Sequence, residues 1–173
     1  MRVAAGCGFF VCPDNTAHIA FEAPGAPLVL PGLHIAEIVA QRAKADGRAC
    51  VGLLGTRWTM TGPVYPAAFA RAGIEMKTPS APDRKIVDDI IFAEVCQGVV
   101  SEAARAEYVR VIEHLKTAGC DAVALSCTEI PLLVTPEVSP LPTLDSTRLL
   151  ARAAVDVAVG EAPLPAWRGG PFG

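Results

Sequence analysis

Two short stretches of the chain, residues 49–54 and 122–127, are almost entirely apolar, and polar residues follow each of them at once. A stretch of this kind is typical of a parallel β-strand that is buried on both faces. Segments with helical apolar spacing lie between and around them, and several end at a glycine, as residues 102–118 do before Gly119. Strands that alternate with helices predict a mostly parallel sheet with right-handed crossovers, so we expect an α/β fold.

The same criteria predict the other elements of the chain. We expect strands at residues 9–12, 28–30, 49–54, 74–76, 122–127 and 141–144. We expect helices at residues 35–44, 65–72, 83–97, 102–118 and 145–159. Asp83 is predicted to cap the third of these helices, and residues 145–147 (Asp-Ser-Thr) are predicted to cap the last. Residues 161–173 are rich in proline and glycine and are predicted to form a loose tail.

Composition and charge limit the kind of partner that the chain can have. Hydrophobic residues make up 51% and charged residues 19%, which is enough apolar material for a buried core. The net charge is −3 without a basic stripe, which argues against a nucleic-acid partner. No apolar run reaches the ~18 residues that cross a bilayer, and the N-terminus lacks the pattern of a secretory signal. We therefore expect a cytoplasmic protein with no membrane partner.

The six cysteines do not form a disulfide or metal-binding pattern. No Cys-x-x-Cys pair is present, and only three histidines occur, so a metal site is not expected. Several of the cysteines lie in apolar stretches, which is typical of reduced, buried thiols in a reducing compartment.

Polar loops follow three of the predicted strands, at residues 13–18, 55–60 and 127–130. Because ligands of parallel sheets bind beyond the carboxyl ends of the strands, these loops are the expected binding site. Short polar side chains there are suited to holding a small anion, although each of them alone could be an ordinary helix cap. The candidate binding residues are Asn15, Thr16, Thr56, Thr59 and Thr128.

Cys127 is the main candidate for catalysis, since it ends a predicted strand and precedes a predicted helical turn. A helix N-terminus lowers the pKa of a thiol, and the thiolate can act as a nucleophile or as a proton-transfer base. The alternative is an inert buried cysteine. The neighbouring Thr128 and Glu129 favour the reactive role.

Asp14 is the second ionisable candidate, either as a general acid/base or as an ordinary turn residue. His18 follows Asp14 by about one helical turn. It is expected either to be hydrogen-bonded structure or to orient another side chain, with Glu129 on the facing loop as its partner.

Two motifs, in the same order and at a sensible separation, resemble those of the aspartate/glutamate racemase family, within the cofactor-independent Asp/Glu/hydantoin racemase superfamily. Residues 14–18 (Asp-Asn-Thr-Ala-His) resemble its Cys-Asn-Thr-Ala-His motif. Residues 126–133 (Ser-Cys-Thr-Glu-Ile-Pro-Leu-Leu) resemble its second cysteine motif. Residues 51–56 and 144–147 also match the family pattern, so the resemblance extends to about Gly160.

The resemblance implies a fold of two pseudo-symmetric lobes, each with a mostly parallel sheet flanked by helices. It implies that two cysteines on opposite faces of a small acidic substrate exchange its Cα proton without pyridoxal phosphate or any other cofactor. Cys127 corresponds to the second of these cysteines. By motif position, Asn15, Thr16, Thr56 and Thr128 correspond to the groups that hold the substrate carboxylates. A homo-oligomer is also expected.

The sequence departs from the family pattern in two ways. Asp14 stands where the family has its first cysteine, which implies an asymmetric site. The chain also begins later than the family pattern, so we expect an N-terminally truncated protein with an incomplete first lobe. On this view, residues 1–34 and 143–160 form the remnant of the first lobe, residues 35–142 form the second lobe, and residues 161–173 form the tail.

The resulting prediction is an amino-acid racemase, independent of pyridoxal phosphate, that acts on aspartate or glutamate. One alternative is related one-cysteine chemistry. Aryl malonate decarboxylases are similar in using a single cysteine as proton donor, and maleate isomerases share the fold with a nucleophilic cysteine. The other alternative is an inactive or ligand-binding remnant.

Overall fold

The fold is built around a parallel four-stranded sheet with the strand order β4-β3-β5-β6. Its structure, a computed structural model, describes residues 6–172. The four strands are β3 (Cys50–Gly55), β4 (Glu75–Lys77), β5 (Ala122–Ser126) and β6 (Thr143–Asp145). All three pairings are parallel, and helices connect the strands, so the predicted α/β class with a mostly parallel sheet flanked by helices is confirmed.

A second, two-stranded parallel sheet precedes it, formed by β1 (Phe10–Val11) and β2 (Gly32–Leu33) with the short helix α1 (His18–Phe21) between them. The prediction of a strand at residues 28–30 was wrong. The backbone N–H of Leu28 donates to the carbonyl of Arg168 at 2.6 Å, so this segment is bonded to the end of the chain. The pairing with β1 begins at Pro31, whose carbonyl accepts from the N–H of Phe10 at 2.9 Å.

Seven more helices complete the described part of the chain. They are α2 (Ile35–Ala45), α3 (Arg57–Thr61), α4 (Val64–Ala72), α5 (Ala81–Ala93), α6 (Glu102–Thr117), α7 (Ile130–Leu133) and α8 (Ser146–Ala158), with a 3₁₀ turn at Val95–Gln97. The predicted cap at Asp145 is confirmed, since its side chain accepts from the N–H groups of Thr147 and Arg148.

The predicted cap at Asp83 was wrong. Helix α5 begins earlier, because Ser80 accepts a hydrogen bond from the N–H of Asp83 and a proline occupies the first turn, where its fixed φ suits a helix start. The carboxylate of Asp83 pairs instead with Arg110 of α6 at 2.9 Å.

Helices cover both faces of the four-stranded sheet, and successive residues of its central strands point to opposite faces. Leu54 and Leu125 pack with α5, α6 and α7 on one face. Leu53 and Ala124 pack with α2 and α4 on the other. All four are fully or almost fully buried, which explains why the two central strands are apolar throughout.

The sequence predicted a loose tail at residues 161–173, but part of this segment packs against the rest of the molecule. Trp167 is buried, and its ring stacks on those of His18 and Phe172 at centroid distances of 5.8 and 5.9 Å. Its carbonyl accepts from the N–H of Gly32 at 2.8 Å. A tryptophan buries a large apolar area, and this contact ties the proline-rich end to the first part of the chain. The division into two lobes stays a prediction.

Within residues 6–172, every helix is too short or too polar to span a lipid bilayer.

We expect Leu53→Ala to lower the free energy of unfolding by about 2–5 kcal/mol, because Leu53 is fully buried in a central strand and its truncation leaves a cavity. Urea unfolding followed by circular dichroism measures this change. The matched control is Leu164→Ala, at a leucine that is 64% exposed, for which a change within about 0.5 kcal/mol is expected. Equal losses in the two variants would contradict the placement of the core.

Candidate active site

The carboxyl ends of β3 and β5 form a crevice of the kind in which doubly wound sheets bind ligands. From β3 the chain continues to β4 on one side of the sheet, whereas from β5 it continues to β6 on the opposite side. The loops that leave the two strands therefore diverge, and a crevice opens between them. Gly55 and Ser126 are paired in register, so Thr56 and Cys127 come next on either side of this crevice.

Gly55 allows the two strand ends to approach closely. A Cβ atom at this position would lie 2.9 Å from the carbonyl oxygen of Ser126 and 3.0 Å from Cγ2 of Thr59. Contacts this short do not occur for real Cβ atoms, so a side chain here would push the loop after β3 away from Cys127.

A cavity of about 470 Å³ lies at this crevice. Its wall comes from the loop after β1, the start of α3, the end of α5 and the loop after β5. It brings together most of the residues that the sequence singled out, namely Asp14, Asn15, Thr16, Thr56, Cys127, Thr128 and Glu129.

The thiol of Cys127 faces the carboxylate of its neighbour Glu129. Its Sγ donates a hydrogen bond to Oε2 of Glu129 at 2.9 Å, and the hydroxyl of Thr128 donates to the same oxygen at 2.7 Å. Burial and, next to it, the hydrogen bond to Glu129 together raise the pKa of Cys127 to about 12. Cys127 is therefore a protonated thiol at neutral pH.

The expectation that a helix N-terminus lowers the pKa of Cys127 was wrong. Helix α7 has only four residues and begins three residues after Cys127, so its dipole is weak at the sulfur. Loss of hydration and the adjacent negative charge dominate instead.

Glu129 itself stays ionised. Burial alone would raise the pKa of its carboxyl group, but the hydrogen bonds from Cys127 and Thr128 outweigh that effect and lower it. The cavity thus holds a carboxylate in direct contact with a thiol, which is a pair that can exchange a proton.

Three threonine hydroxyls form a triangle on the other side of the crevice. The Oγ1 atom of Thr16 lies 3.0 Å from that of Thr56 and 3.1 Å from that of Thr59, and the last two are 3.2 Å apart. Thr56 also caps α3, as its hydroxyl accepts from the N–H of Thr59. Thr59 is buried and is not among the residues that line the cavity; its hydroxyl supports the other two, and its contact with a ligand stays a prediction.

Asn15 is fixed by a chain of hydrogen bonds that ends on β5. The hydroxyl of Tyr65 donates to Oδ1 of Asn15 at 2.6 Å, and Nδ2 of Asn15 donates to Ser146 at 3.1 Å. Ser146 in turn donates to the carbonyl of Leu125 at 3.0 Å. Burial raises the pKa of Tyr65, which keeps its hydroxyl protonated as the donor. This chain holds the loop after β1 against the end of β5.

Asp14 lines the cavity and is exposed. Its Oδ1 accepts from the N–H of Ala17 at 3.0 Å, so it also acts as the turn residue that the sequence allowed. Both of its predicted roles are compatible with this position.

His18 is hydrogen-bonded structure, the first of the two roles expected for it, and it does not pair with Glu129. Its Nε2 accepts from the N–H of Ile35 at 3.3 Å, so Nδ1 carries the hydrogen and donates to the carbonyl of Asp14 at 2.9 Å. Burial lowers its pKa, which keeps the ring neutral. His18 therefore links two backbone segments, since Nδ1 bonds to the backbone at Asp14 and Nε2 to the backbone at Ile35.

Sequence reasoning missed several residues of the site. The rule that ligands bind at the carboxyl ends of the strands selects residues 55–60, so it could have identified Trp58. Ile91 and Phe92 end a helix, and Cys96 lies in a 3₁₀ turn, so no sheet-edge rule points to them. Tyr65 was indicated only by the general need of a buried tyrosine hydroxyl for a partner.

Among residues 6–172, no group of three or more histidine, cysteine, aspartate or glutamate side chains is placed to hold a metal ion.

We expect Glu129→Gln to lower the pKa of Cys127 by about one to two units, because the substitution removes the negative charge beside the thiol. The pH dependence of alkylation by iodoacetamide, followed at the Cys127 peptide by mass spectrometry, measures this pKa. Cys7, an exposed free cysteine, is the internal control for general access of the reagent. An alkylation midpoint that stays in place or moves upward would contradict the role of Glu129.

Comparison with known proteins identifies racemases among the relatives of the chain. The family model described as Asp/Glu/Hydantoin racemase matches residues 1–154. A glutamate racemase from Beutenbergia cavernae is 31% identical over 140 residues, which cover 76% of this chain and 45% of that protein. The broad specificity amino-acid racemase RacX from Bacillus subtilis is 24% identical, over 87% of this chain and 64% of RacX. The chain thus spans less than two thirds of the length of both curated relatives.

Solved structures that resemble the chain are also described as racemases or their homologues. A Yersinia pestis protein provisionally described as an Asp/Glu racemase is 39% identical with a TM-score of 0.81, covering 91% of this chain and 69% of that one. An aspartate racemase homologue from Pyrococcus horikoshii is 26% identical with a TM-score of 0.80, at the same coverage. Taken with the two motifs at the crevice, these matches show that the chain belongs to the Asp/Glu/hydantoin racemase family.

Proposed function

We propose that the chain is an amino-acid racemase that needs no pyridoxal phosphate and transfers the Cα proton through Cys127. The contact between the Cys127 thiol and the Glu129 carboxylate, at a cavity between two strand ends, is the observation that carries this proposal. The racemase names of the relatives support it. The sequence indicates an acidic amino acid such as aspartate or glutamate as substrate. A homo-oligomeric assembly and a cytoplasmic location stay predictions from the sequence.

The protonated state of Cys127 favours its role as the proton donor. In this direction, the carboxylate of Asp14 takes the Cα proton, and the electron pair of the broken C–H bond is left on the substrate carbanion. The S–H bond of Cys127 then breaks, and its proton goes to the opposite face of the carbanion. The thiolate that remains lies beside the Glu129 carboxylate, which raises the pKa of Cys127, so it readily takes up a proton again.

In the opposite direction, the carboxylate of Glu129 takes the Sγ proton, the resulting thiolate takes the Cα proton, and Asp14 in its carboxylic acid form gives its proton to the opposite face of the carbanion. The 2.9 Å contact between Sγ and Oε2 is the route for this first transfer. Because a carboxyl group and a thiol occupy the two positions, the forward and reverse reactions have different barriers. We expect exchange to begin faster from one enantiomer than from the other.

The threonine wall supplies the substrate-binding part of the proposal. The hydroxyls of Thr16 and Thr56 and the amide of Asn15 are polar groups on the wall across from the loop after β5. They are proposed to bind the α-carboxylate, with Thr128 on the Cys127 side.

We expect Cys127→Ala to reduce Cα exchange by about 100-fold or more, since it removes a proton-transfer group from the site. The measurement is incorporation of deuterium from D₂O into L- and D-amino acids, aspartate and glutamate among them, followed by NMR. Asp14→Asn, which keeps the turn geometry, is expected to cause a loss of similar size.

The matched control is Cys12→Ala, because Cys12 lies two residues before Asp14 but does not line the cavity. This variant is expected to retain exchange. Loss of exchange in Cys12→Ala with retention in Asp14→Asn would transfer the second role to Cys12. Exchange that survives Cys127→Ala would overturn the proposal.

One-cysteine decarboxylation is the second candidate, and the protonated thiol specifically favours it over a nucleophilic role. In that reaction the bond from Cα to a carboxylate of a malonate breaks, CO₂ leaves, and the proton of Cys127 goes to the resulting carbanion. A maleate-type isomerase needs a thiolate nucleophile, which the raised pKa of Cys127 disfavours.

We expect decarboxylation of aryl- and alkyl-malonates, if it is the activity, to depend on Cys127 and to leave Asp14→Asn largely active, since no Cα proton is removed. Release of CO₂ is the measurement. Equal dependence on both residues favours racemisation instead.

A further inference from the structure

We infer that the cavity selects amino acids with an uncharged, apolar side chain and binds that side chain against Trp58, Ile91 and Phe92. This substrate class rests on the proposed function and deepens it. It departs from the acidic substrate that the sequence indicates.

The charges of the cavity wall are the first reason. Among the described residues, the wall contains the carboxylates of Asp14 and Glu129 and no lysine, arginine or histidine. Oε2 of Glu129 lies 2.9 Å from the sulfur that must approach Cα. A substrate with a second carboxylate would bring another negative charge into this space without a cation to pair it, which opposes binding.

Arg57 is the arginine nearest to this wall in sequence, and it does not line the cavity itself. Its backbone N–H donates to Oδ1 of Asp88 at 2.7 Å, and its guanidinium lies 3.8 Å from Oδ2 of the same residue. The guanidinium also lies 4.2 Å from the ring centroid of Trp58. Arg57 borders a neighbouring cavity with Asp88 and Asp89, where its charge is already balanced.

The apolar wall is the second reason. Trp58 and Phe92 are 46% and 43% exposed, although both are large aromatic side chains. Their ring centroids are 6.0 Å apart with an angle of 82° between the planes, so they form one edge-to-face surface. Ile91 lines the cavity beside them. An apolar side chain that covers this surface removes it from water, which favours binding.

The wall opposite the aromatic residues sets the orientation in which an amino acid would bind. The hydroxyls of Thr16 and Thr56 offer hydrogen bonds to an α-carboxylate. An amino acid bound there has its side chain free to lie on the aromatic wall. The polar groups of the site are therefore used by the part that all amino acids share, and the aromatic wall is left to read the side chain.

Methionine and glutamate test this preference, since their side chains are unbranched and similar in length but differ in charge. We expect kcat/KM for Cα deuterium exchange of L-methionine by the 173-residue chain to exceed that of L-glutamate by about tenfold or more. Faster exchange of glutamate than of methionine, leucine and phenylalanine would overturn the inference.

Variants of the wall test where the side chain lies. Phe92→Ala is expected to lower the methionine-to-glutamate ratio of kcat/KM by about fivefold or more. Phe92→Lys is expected to shift the preference toward glutamate. Val99→Ala, at a valine that is 49% exposed and does not line the cavity, is the control. Circular dichroism melts show whether each variant is folded. A methionine-to-glutamate ratio that is unchanged in both folded Phe92 variants would contradict the assignment of the wall.

Binding separates this inference from the proposed function. If no amino acid exchanges its Cα proton, the proposed function fails, but the preference can still be measured. Ligand-observed NMR then compares hexanoate with glutarate, which differ in the charge at one end. Tighter binding of hexanoate, weakened by Phe92→Ala, supports the inference. Equal or tighter binding of glutarate overturns it.

Discussion

The parallel pairing of β3 with β5 is the constraint on which the rest of the site depends. Five register pairs join these strands, and the last of them is Gly55 with Ser126. Both faces of these strands are buried, so burial alone does not set the register; the close approach of Gly55 to the carbonyl of Ser126, which leaves no room for a Cβ atom, favours this pairing. The residues that follow the last pair, Thr56 and Cys127, are therefore placed on opposite sides of one crevice by the sheet itself.

The chemistry of the site depends on a local electrostatic balance at Cys127. A thiol beside an ionised carboxylate stays protonated, and Glu129 stays ionised because the thiol and Thr128 donate to it. Each group fixes the protonation state of the other. A bound carbanion would change this balance, because it takes the thiol proton. The resting pair is thus set for delivery of a proton rather than for attack on carbon.

The sequence predicted the central strands and the loops after them, because a continuous apolar run has few other interpretations. It also predicted that Cys127 and Asp14 would line one cavity, through motifs that resemble those of a known family. Long-range contacts were out of its reach. The segment around Leu28 does not form the predicted strand, because the N–H of Leu28 bonds to the carbonyl of Arg168, a contact that no local sequence pattern shows. The pKa of Cys127 depends on burial and on a side-chain contact, and so the helix-terminus rule gave the wrong direction.

Trp167 helps to fix the position of Asp14, although the two residues are far apart in the sequence. The match to the family model ends at residue 154, yet Trp167 stacks on His18, and His18 holds the backbone of Asp14. The last residues of the chain thus brace, from behind, the loop on which the family's first cysteine position lies. The position of Asp14 therefore depends both on contacts within the region that the family model matches and on a contact with a residue beyond it.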